Sequence, residues 1–526
     1  MGLGRTQSIA LAGIHGHVVE IETHLGGGLP HIRLVGLPDA SLNEARDRCK
    51  AAVANSGLSW PNRRVTIGLS PASLPKAGSH YDLAIALSVI AADEKIPADP
   101  LHDCVAFGEL ALDGRCRAVP GVLPATMAAA EAGFGRVIVP EPQAGEAALV
   151  PGVSVLGVRS LRQIVALLRE EDPPDDPPVP PLDGSTRVAW RADSRLQSLD
   201  LADVLGQAEA RRSLEVAAAG GHHILMTGPP GAGKTMLAER LPGLLPDLTD
   251  RESLEVSAIH SVAGLLASDT PLVTRPPFLD PHHTASTVAI VGGGSRVIRP
   301  GAISLAHHGV LFLDEAPEFH VRVLEALRQP LESGEILVAR AHCAARFPAR
   351  FILVLAANPC PCGRNYGTGV DCECTSAAKR RYHDRLSGPI RDRVDVTRAV
   401  QPVSRREMRE DRAYAESTLV VADRILEARS RQLRRLEGSP WKCNAEVPGP
   451  EFRRRWPIGA GHLVEVERQL AAGHLSARGA DKVMRLAWTL ADLERRDEPG
   501  HDEVSQALAL RTSDALPGAV TRLLSA

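Results

Sequence analysis

Apolar and polar residues alternate along the first third of the chain and change to a helical spacing toward its end. Short alternating runs such as residues 17–25 (HVVEIETHL), 31–37 (HIRLVGL) and 64–70 (RVTIGLS) have the period of half-buried strands. Helical spacing in residues 42–55 and 83–92 separates these runs. The pattern predicts a mixed α+β domain over residues 1–170.

A proline-rich acidic segment follows, residues 171–184 (EDPPDDPPVPPLDG). Because proline lacks a backbone N–H and fixes φ, we expect a stiff, extended linker over residues 171–195. Beyond it, strands and helices alternate over residues 196–402, which is typical of a parallel sheet. Residues 403–526 are predicted to be helical. The chain is therefore predicted to have an α/β multidomain fold.

The run GPPGAGKT carries the strongest chemical signal in the chain. It fits the phosphate-loop pattern, in which four residues separate a glycine from Gly-Lys-Thr. A strand-like run precedes it and helical residues 236–245 follow, so the N–H groups at a helix start face the phosphates. In such loops the lysine reaches the terminal phosphates and the threonine hydroxyl binds magnesium. The predicted ATP site comprises Gly228, Pro229, Pro230, Gly231, Ala232, Gly233, Lys234 and Thr235.

An apolar run that ends in two carboxylates, residues 310–315 (VLFLDE), supplies the second half of this site. Asp314 at the strand end is predicted to hold Mg²⁺ through water. Glu315 is predicted to orient and deprotonate the water that attacks the terminal phosphate. The sequence thus predicts an enzyme that hydrolyses ATP with Mg²⁺.

The overall composition excludes some classes of protein and leaves others open. The 526 residues are 44% hydrophobic, and no stretch approaches the ~18 uninterrupted apolar residues of a membrane span, so we expect a cytoplasmic protein with no membrane partner. The net charge of −3 gives the protein no overall attraction for nucleic acid, so any contact with nucleic acid must come from local groups of basic residues. Aromatic residues make up only 3%, which argues against a single-strand binder built on base stacking.

Four of the nine cysteines crowd into one short segment as Cys360-x-Cys362 and Cys372-x-Cys374. Four thiolates satisfy tetrahedral zinc, although the usual spacing within each pair is two residues rather than one. Zinc is the leading interpretation. Reduced thiols without a metal and redox chemistry remain alternatives.

Further motifs resemble AAA+ ATPases related to magnesium chelatase, and most closely the ComM/YifB family. They are PHHTAS (281–286), VGGGSR (291–296), RPGAISLAHHGVLFLDEAPEF (299–319), NPCPCG (358–363) and SGPIRDRVD (387–395). The resemblance implies an AAA+ P-loop core with a helical lid, preceded by a domain like the proteolytic domain of Lon. His80 and Ala125 stand at the positions of that protease's serine and lysine. We therefore expect a collar for assembly or substrate guidance, without peptidase activity.

The same resemblance assigns three further site residues. Asn358 resembles the sensor-1 residue that positions the attacking water. Arg393 resembles the arginine finger offered to a neighbouring subunit's nucleotide, with Arg391 as the alternative. Arg478 resembles the sensor-2 arginine of the lid, with Arg485 as the alternative. A finger that acts on a neighbour requires a ring, and relatives of this type assemble as hexamers.

Residues 332–351 resemble the hairpin that relatives push into the central pore, and residues 281–296 a second pore element. Arg340, His342, Arg346 and Arg350 give the hairpin positive charge suited to DNA phosphates, although solvated arginines on a structural hairpin are the alternative. The leading hypothesis is a hexameric, ATP-driven motor on single-stranded or branched DNA, a helicase or branch-migration factor in recombination or natural transformation. The alternative is a magnesium chelatase-like or protein-remodelling ATPase that acts through partner proteins.

Overall fold

The computed structural model describes residues 2–36, 40–74, 76–182, 194–294, 298–340, 343–366 and 371–512. Two large sheets organise these residues, one in each half of the chain. Among the described helices, none is both long and apolar enough to cross a lipid bilayer.

The alternating runs of the first domain form one mixed sheet of seven strands. The strands of this half are β1 (Gly2–Ala12), β2 (His15–Gly26), β3 (His31–Val35), β4 (Arg64–Ser70), β5 (Cys104–Ala106), β6 (Glu109–Leu110), β7 (Cys116–Arg117), β8 (Arg136–Pro140) and β9 (Ser154–Val158). The order in the sheet is β3-β4-β2-β1-β5-β8-β9, while β6 and β7 pair with each other. The long β1 and β2 run antiparallel over their whole length, and β5, β8 and β9 add in parallel.

The helices of this half are α1 (Ala40–Asn55), α2 (Asp82–Ala92), α3 (Asp99–His102), α4 (Val122–Glu131), α5 (Ala144–Ala147) and α6 (Leu161–Leu168). Every residue of α2 is buried, as its apolar sequence DLAIALSVIAA requires. The carboxylate of Asp82 at its start is tolerated because Arg48 donates two hydrogen bonds to it, at 2.8 and 3.0 Å.

Of the two residues that the sequence resemblance places at a protease dyad, Ala125 is buried and His80 is half-buried. The His80 ring stacks on Phe107, its Nε2 lies 3.1 Å from the Ile9 carbonyl oxygen, and burial lowers its pKa to about 4. Ala125 is 2% exposed on α4. His80 therefore acts as a packing residue in this domain.

The beginning of the proline-rich segment packs against the first domain. Asp176 is 3% exposed and pairs with Arg162, and Val179 joins the hydrophobic core beneath the seven-stranded sheet. The sequence predicted an extended spacer because proline content reports local stiffness and carries no information on what the chain contacts. Residues 183–193 lie outside the described ranges.

The second sheet contains five parallel strands. The strands of this half are β10 (Ile224–Thr227), β11 (Phe278–Leu279), β12 (Gly292–Gly293), β13 (Arg299–Pro300), β14 (Val310–Leu313), β15 (Glu335–Arg340), β16 (Cys343–Pro348), β17 (Ile352–Ala357) and β18 (Val396–Ala399). The order is β11-β14-β17-β10-β18, whereas β12–β13 and β15–β16 form separate pairs. β14 and β17 are buried throughout, as the uninterrupted apolar runs VLFL and ILVLAA predict.

Helices cover this sheet and continue beyond it. They are α7 (Ser194–Gln197), α8 (Ala208–Gly220), α9 (Lys234–Ala238), α10 (Leu241–Leu244), α11 (Asp250–Ala263), α12 (Thr287–Val291), α13 (Ala302–Leu305), α14 (Val321–Ala326), α15 (Arg328–Ser333), α16 (Ser376–Asp384), α17 (Gly388–Arg393), α18 (Arg405–Asp411), α19 (Thr418–Arg435), α20 (Gly449–Arg455), α21 (Val464–Ala471), α22 (Ala477–Leu493) and α23 (His501–Thr512). The helix predicted over residues 236–245 is interrupted after Ala238, because the Pro242 ring clashes with the carbonyl four residues earlier.

The two halves of the chain meet along α11. The Glu146 carboxylate accepts hydrogen bonds from the Ser261 hydroxyl and from the Leu123 N–H, and all three groups are buried. Leu123 and Val150 pack on Ala258 of α11 in one apolar cluster. The first domain is thus fixed to α11, the third helix after the phosphate loop.

A buried ion pair joins the last helices to the parallel sheet. Asp395, just before β18, is 3% exposed, and the Lys482 ammonium of α22 lies 2.8 Å from its carboxylate. The backbone N–H of His223, just before β10, donates to the same carboxylate at 2.9 Å. Burial acts to raise the pKa of Asp395, but the positive charge of Lys482 and the neighbouring histidines hold that pKa below its usual range.

Replacing Lys482 by alanine leaves the Asp395 carboxylate buried without its cation. We expect a cost of about 3–5 kcal/mol, the typical effect of removing one partner of a buried pair. Urea unfolding should show a clearly lower midpoint for Lys482→Ala. Lys442→Ala, which removes a half-exposed partner of Glu252, serves as the control and should cost less than about 1 kcal/mol. Equal midpoints for the two variants would contradict this account of the core.

Candidate functional site

The phosphate loop lies at the carboxyl edge of the parallel sheet, after the fourth strand in the sheet order. β10 ends at Thr227 between β17 and β18, and α9 begins at Lys234. Gly233 precedes α9 with φ of +95°, a left-handed conformation that favours glycine. The sequence GPPGAGKT therefore forms the strand, loop and helix connection that its pattern predicts.

Lys234 points back across the loop. Its ammonium donates to the carbonyl oxygens of Gly228 and Pro229 at 2.8 and 3.0 Å, and to the Asn358 side-chain oxygen at 3.2 Å. Burial lowers the pKa of Lys234, while the carboxylates of Asp314 and Glu315 oppose the shift. The Lys234 ammonium therefore lies at the carboxyl ends of the strands, near the carboxylates of Asp314 and Glu315.

Asp314 meets the phosphate loop through Thr235. The Thr235 hydroxyl donates to the Asp314 carboxylate at 2.8 Å, although 79 residues separate the two in sequence. The contact exists because β14 and β10 flank β17 and end at the same edge. A hydroxyl and a carboxylate are the oxygen ligands that Mg²⁺ prefers, so these two residues fit a magnesium site.

Glu315 occupies an uncommon backbone conformation. Its φ of 50° and ψ of 43° are left-handed, a conformation that non-glycine residues adopt mostly where the surrounding structure enforces it. The side chain is 49% exposed, and the His283 Nδ1 lies 3.4 Å from its carboxylate. An exposed carboxylate beside the phosphate loop is accessible to water and to a phosphoryl group.

His283 was not assigned to this site by sequence reasoning. The motif PHHTAS lies in residues 281–296, which resemble a second pore element. Residues 282–284 form a turn in which the two imidazole rings lie 4.1 Å apart, and this turn brings His283 to Glu315. The two adjacent histidines of PHHTAS were the sequence feature that could have pointed to a site residue here.

Asn358 directly follows β17, the strand between β10 and β14. Its contact with Lys234 places the predicted sensor-1 residue beside the phosphate loop. Backbone N–H groups, an ammonium, a hydroxyl and two carboxylates therefore meet at three neighbouring strand ends. This donor set fits a nucleoside triphosphate with Mg²⁺.

Arg393 ends α17 and is 12% exposed in its side chain. Its guanidinium pairs with Glu332 at the end of α15 and donates to the Pro389 carbonyl at 2.8 Å. The Lys482 ammonium donates to the Arg393 carbonyl oxygen at 2.6 Å. Arg391, the alternative finger, lies two residues away and is exposed.

Arg478 lies in the first turn of α22, close to α17. Its guanidinium is 3.4 Å from the Asp392 carboxylate, and its side chain is 72% exposed. Within the described part of the chain, this ion pair ties Arg478 to the helix of Arg393, and no contact joins it to the phosphate loop. Arg485, the alternative sensor-2 residue, lines a separate cavity of about 700 Å³ at the amino ends of the strands.

The predicted pore hairpin is formed by β15 and β16, and its basic residues are spread along it. Arg346 pairs with Glu335 at 3.1 Å and remains 64% exposed. Arg350 lies beyond the end of β16, where its backbone N–H donates to His307. Arg340 closes β15, but its side chain and the whole of His342 lie outside the described residues.

The described residues contain two clusters with metal-ligand chemistry. One is the predicted set Cys360, Cys362, Cys372 and Cys374; the other is Glu255 with His307 and His308. In the second cluster the His307 Nδ1 accepts the Arg350 N–H at 3.0 Å, so its Nε2 carries the proton and faces Glu255. Without a lone pair toward the carboxylate, His307 is a hydrogen-bond donor there rather than a metal ligand.

The sheet order and the site together define a class. Five parallel strands run in the order β11-β14-β17-β10-β18, the phosphate loop follows β10, and the acidic pair follows β14. This arrangement is that of a P-loop protein of the AAA+ type with a magnesium chelatase-like fold.

Comparisons with known proteins agree with that class. Three family models match: magnesium chelatase, subunit ChlI, over residues 200–408; subunit ChlI of Mg-chelatase over 21–143; and magnesium chelatase, subunit ChlI C-terminal, over 415–511. Rv2897c of Mycobacterium tuberculosis is 52% identical over 98% of this chain and 100% of its own length. YifB of Escherichia coli is 39% identical over 100% of both chains. The competence protein ComM of Haemophilus influenzae is 38% identical over 97% of this chain and 98% of its own. The chain belongs to this family of magnesium chelatase-like AAA+ proteins.

Proposed function

We propose that the protein is a cytoplasmic ATPase that couples Mg²⁺-dependent ATP hydrolysis to movement on DNA. The contact that carries the ATPase proposal is the 2.8 Å hydrogen bond between Thr235 and Asp314. It brings the phosphate loop and the acidic strand end to one place. The Lys234 contact with Asn358 adds the polar residue of the strand between them.

The side chains divide the chemistry as follows. The loop N–H groups and Lys234 bind the phosphate oxygens. Thr235 and Asp314 would hold Mg²⁺, and this ion would supply positive charge to the transferred phosphoryl group. Glu315 accepts a proton from the attacking water, because Asp314 is held by Thr235 whereas the Glu315 carboxylate is exposed to water. His283 and Asn358 orient the carboxylate and the water.

Two variants separate nucleotide binding from turnover. Lys234→Ala should remove detectable ATP binding, because the phosphate charge loses its cation. Glu315→Gln should bind ATP and hydrolyse it about 100-fold more slowly or worse, because the general base is lost. Fluorescent-nucleotide titration and phosphate release measure the two effects. Wild-type hydrolysis by either variant would contradict the site assignment.

The positions of the two candidate arginines support a ring, and the resemblance to relatives of this type supports a hexamer. Arg478 pairs with Asp392, the neighbour of Arg393 on α17, so the two arginines are linked through one helix. That placement supports a role for both on the nucleotide of a neighbouring subunit. The Glu332 carboxylate that holds Arg393 within one chain is itself 61% exposed, so exchange for a phosphoryl group meets little obstruction.

Complementation tests the finger. Lys234→Ala has a defective nucleotide site and an intact finger, whereas Arg393→Ala has the reverse. Each variant should be inactive alone. Mixed rings should regain ATPase activity at interfaces where the intact nucleotide site of an Arg393→Ala subunit meets the intact Arg393 of a Lys234→Ala subunit. Arg391→Ala in the same mixture identifies the alternative arginine. Mixtures no more active than the separate variants would exclude a role between subunits.

DNA is the proposed substrate of the motor. The resemblance to ComM and YifB supports it, and the β15–β16 hairpin offers Arg340, Arg346 and the adjoining Arg350 and His342 as candidates to contact phosphates. Helicase or branch-migration activity in recombination or natural transformation is the corresponding process. The first domain, with its Lon-like sequence and with His80 packed against Phe107, acts as a collar for assembly or substrate guidance.

A second candidate is a chelatase-like or protein-remodelling ATPase acting through partner proteins. The descriptions of all three matching family models, which name magnesium chelatase, favour it. The two candidates differ in what accelerates turnover.

The ATPase rate should therefore be measured with single-stranded, duplex and branched DNA, with Glu315→Gln as the inactive control. The DNA-motor proposal predicts stimulation that is strongest on branched DNA and falls as salt rises, because phosphate contacts release counterions. Arg346→Ala should weaken this stimulation and leave the rate without DNA unchanged. A rate indifferent to every DNA would favour the second candidate.

A further inference from the structure

The four cysteines that follow Asn358 form a compact sulfur cluster. The Sγ atom of Cys360 lies 3.3 Å from that of Cys362 and 3.6 Å from that of Cys372, and the latter two are 3.8 Å apart. Cys374 brings a fourth sulfur within 4.8 Å of the others. Sulfurs bound at about 2.3 Å around one tetrahedral zinc ion lie about 3.8 Å from one another. A disulfide would require about 2.05 Å.

The loop that carries the cluster is also packed against the phosphate loop. At Gly363 the φ of +75° is left-handed, and a Cβ there would lie only 2.6 Å from Cδ of Pro230. No larger residue fits between the cysteine loop and the phosphate loop without moving one of them. The loop that carries the cysteines therefore contacts the phosphate loop at Pro230.

The same loop begins at the nucleotide site. Cys360 is fully buried two residues after Asn358, whose side chain accepts the Lys234 hydrogen bond. The His383 Nε2 of α16 lies 3.1 Å from the Pro359 carbonyl oxygen, so α16 contacts the segment between Asn358 and Cys360. Anchoring Cys360 and Cys362 thus restricts the backbone on both sides of Pro361, directly after Asn358 and Pro359.

We propose that the four cysteines hold one zinc ion, and that this ion fixes residues 358–363 against the phosphate loop so that Asn358 is correctly placed for ATP turnover. The zinc site stands on the sulfur geometry alone. Its effect on turnover rests on the proposed ATPase function. Zinc here is structural, because four protein thiolates leave no open position for water or substrate.

The metal content is measured first, on full-length protein purified without chelator. About one zinc ion per chain is expected by elemental analysis, and Cys372→Ser should lose it, because three thiolates bind zinc far less tightly than four. Cys374→His should keep it, because imidazole replaces a thiolate as ligand. Glu373→Gln, between the two ligands and exposed, is the matched control and should keep both zinc and activity.

Turnover and nucleotide affinity are then compared in the same proteins. Cys372→Ser should lower the ATP turnover number about tenfold or more, as misplaced catalytic groups do, while affinity for a non-hydrolysable ATP analogue changes less than about threefold. Gly363→Ala should retain zinc and still lower turnover, because it separates the loops without touching a ligand. This variant keeps the test valid if Cys372→Ser fails to fold.

The outcomes distinguish the two parts of the proposal. Wild-type protein without zinc would overturn the metal site. Normal turnover in Gly363→Ala and in zinc-free Cys372→Ser would overturn the bracing role. Zinc-loaded wild-type protein that binds the analogue but never hydrolyses ATP would overturn the proposed function and the bracing role, and not the zinc site.

Discussion

The hydrogen bond between the Thr235 hydroxyl and the Asp314 carboxylate is the contact on which the rest of the site depends. It requires that β10 and β14 end at the same edge of the sheet, with β17 between them. Parallel strands satisfy this requirement, since all their carboxyl ends lie together. Lys234, Glu315 and Asn358 are then brought together by sheet order, although they are far apart in sequence.

The helical part of the chain connects this site to the candidate finger. Asp395 accepts the His223 N–H just before β10, and Lys482 bridges Asp395 and the Arg393 carbonyl. A change at the strand that carries the phosphate loop is therefore mechanically linked to the position of Arg393 through buried groups. In a ring, such a link would transmit the state of one nucleotide site toward the next.

Sequence reasoning succeeded where local pattern determines structure. The apolar runs became β10, β14 and β17, and the phosphate-loop pattern formed the expected strand, loop and helix, because buried strands and glycine turns are encoded within a few residues. It failed where distant segments meet. The contacts of His283 with Glu315, of Arg478 with Asp392 and of Val179 with the first core depend on packing between distant segments, which local sequence patterns do not specify.

The central claim is that Thr235 and Asp314 bind the magnesium that accompanies ATP. It is tested most directly by calorimetric titration of a non-hydrolysable ATP analogue, in buffer with Mg²⁺ and in buffer without divalent cations. The account predicts one analogue per chain with Mg²⁺, affinity at least about tenfold weaker without it, and loss of this difference in Asp314→Asn. Binding that ignores Mg²⁺, or no binding in either buffer, would contradict the account.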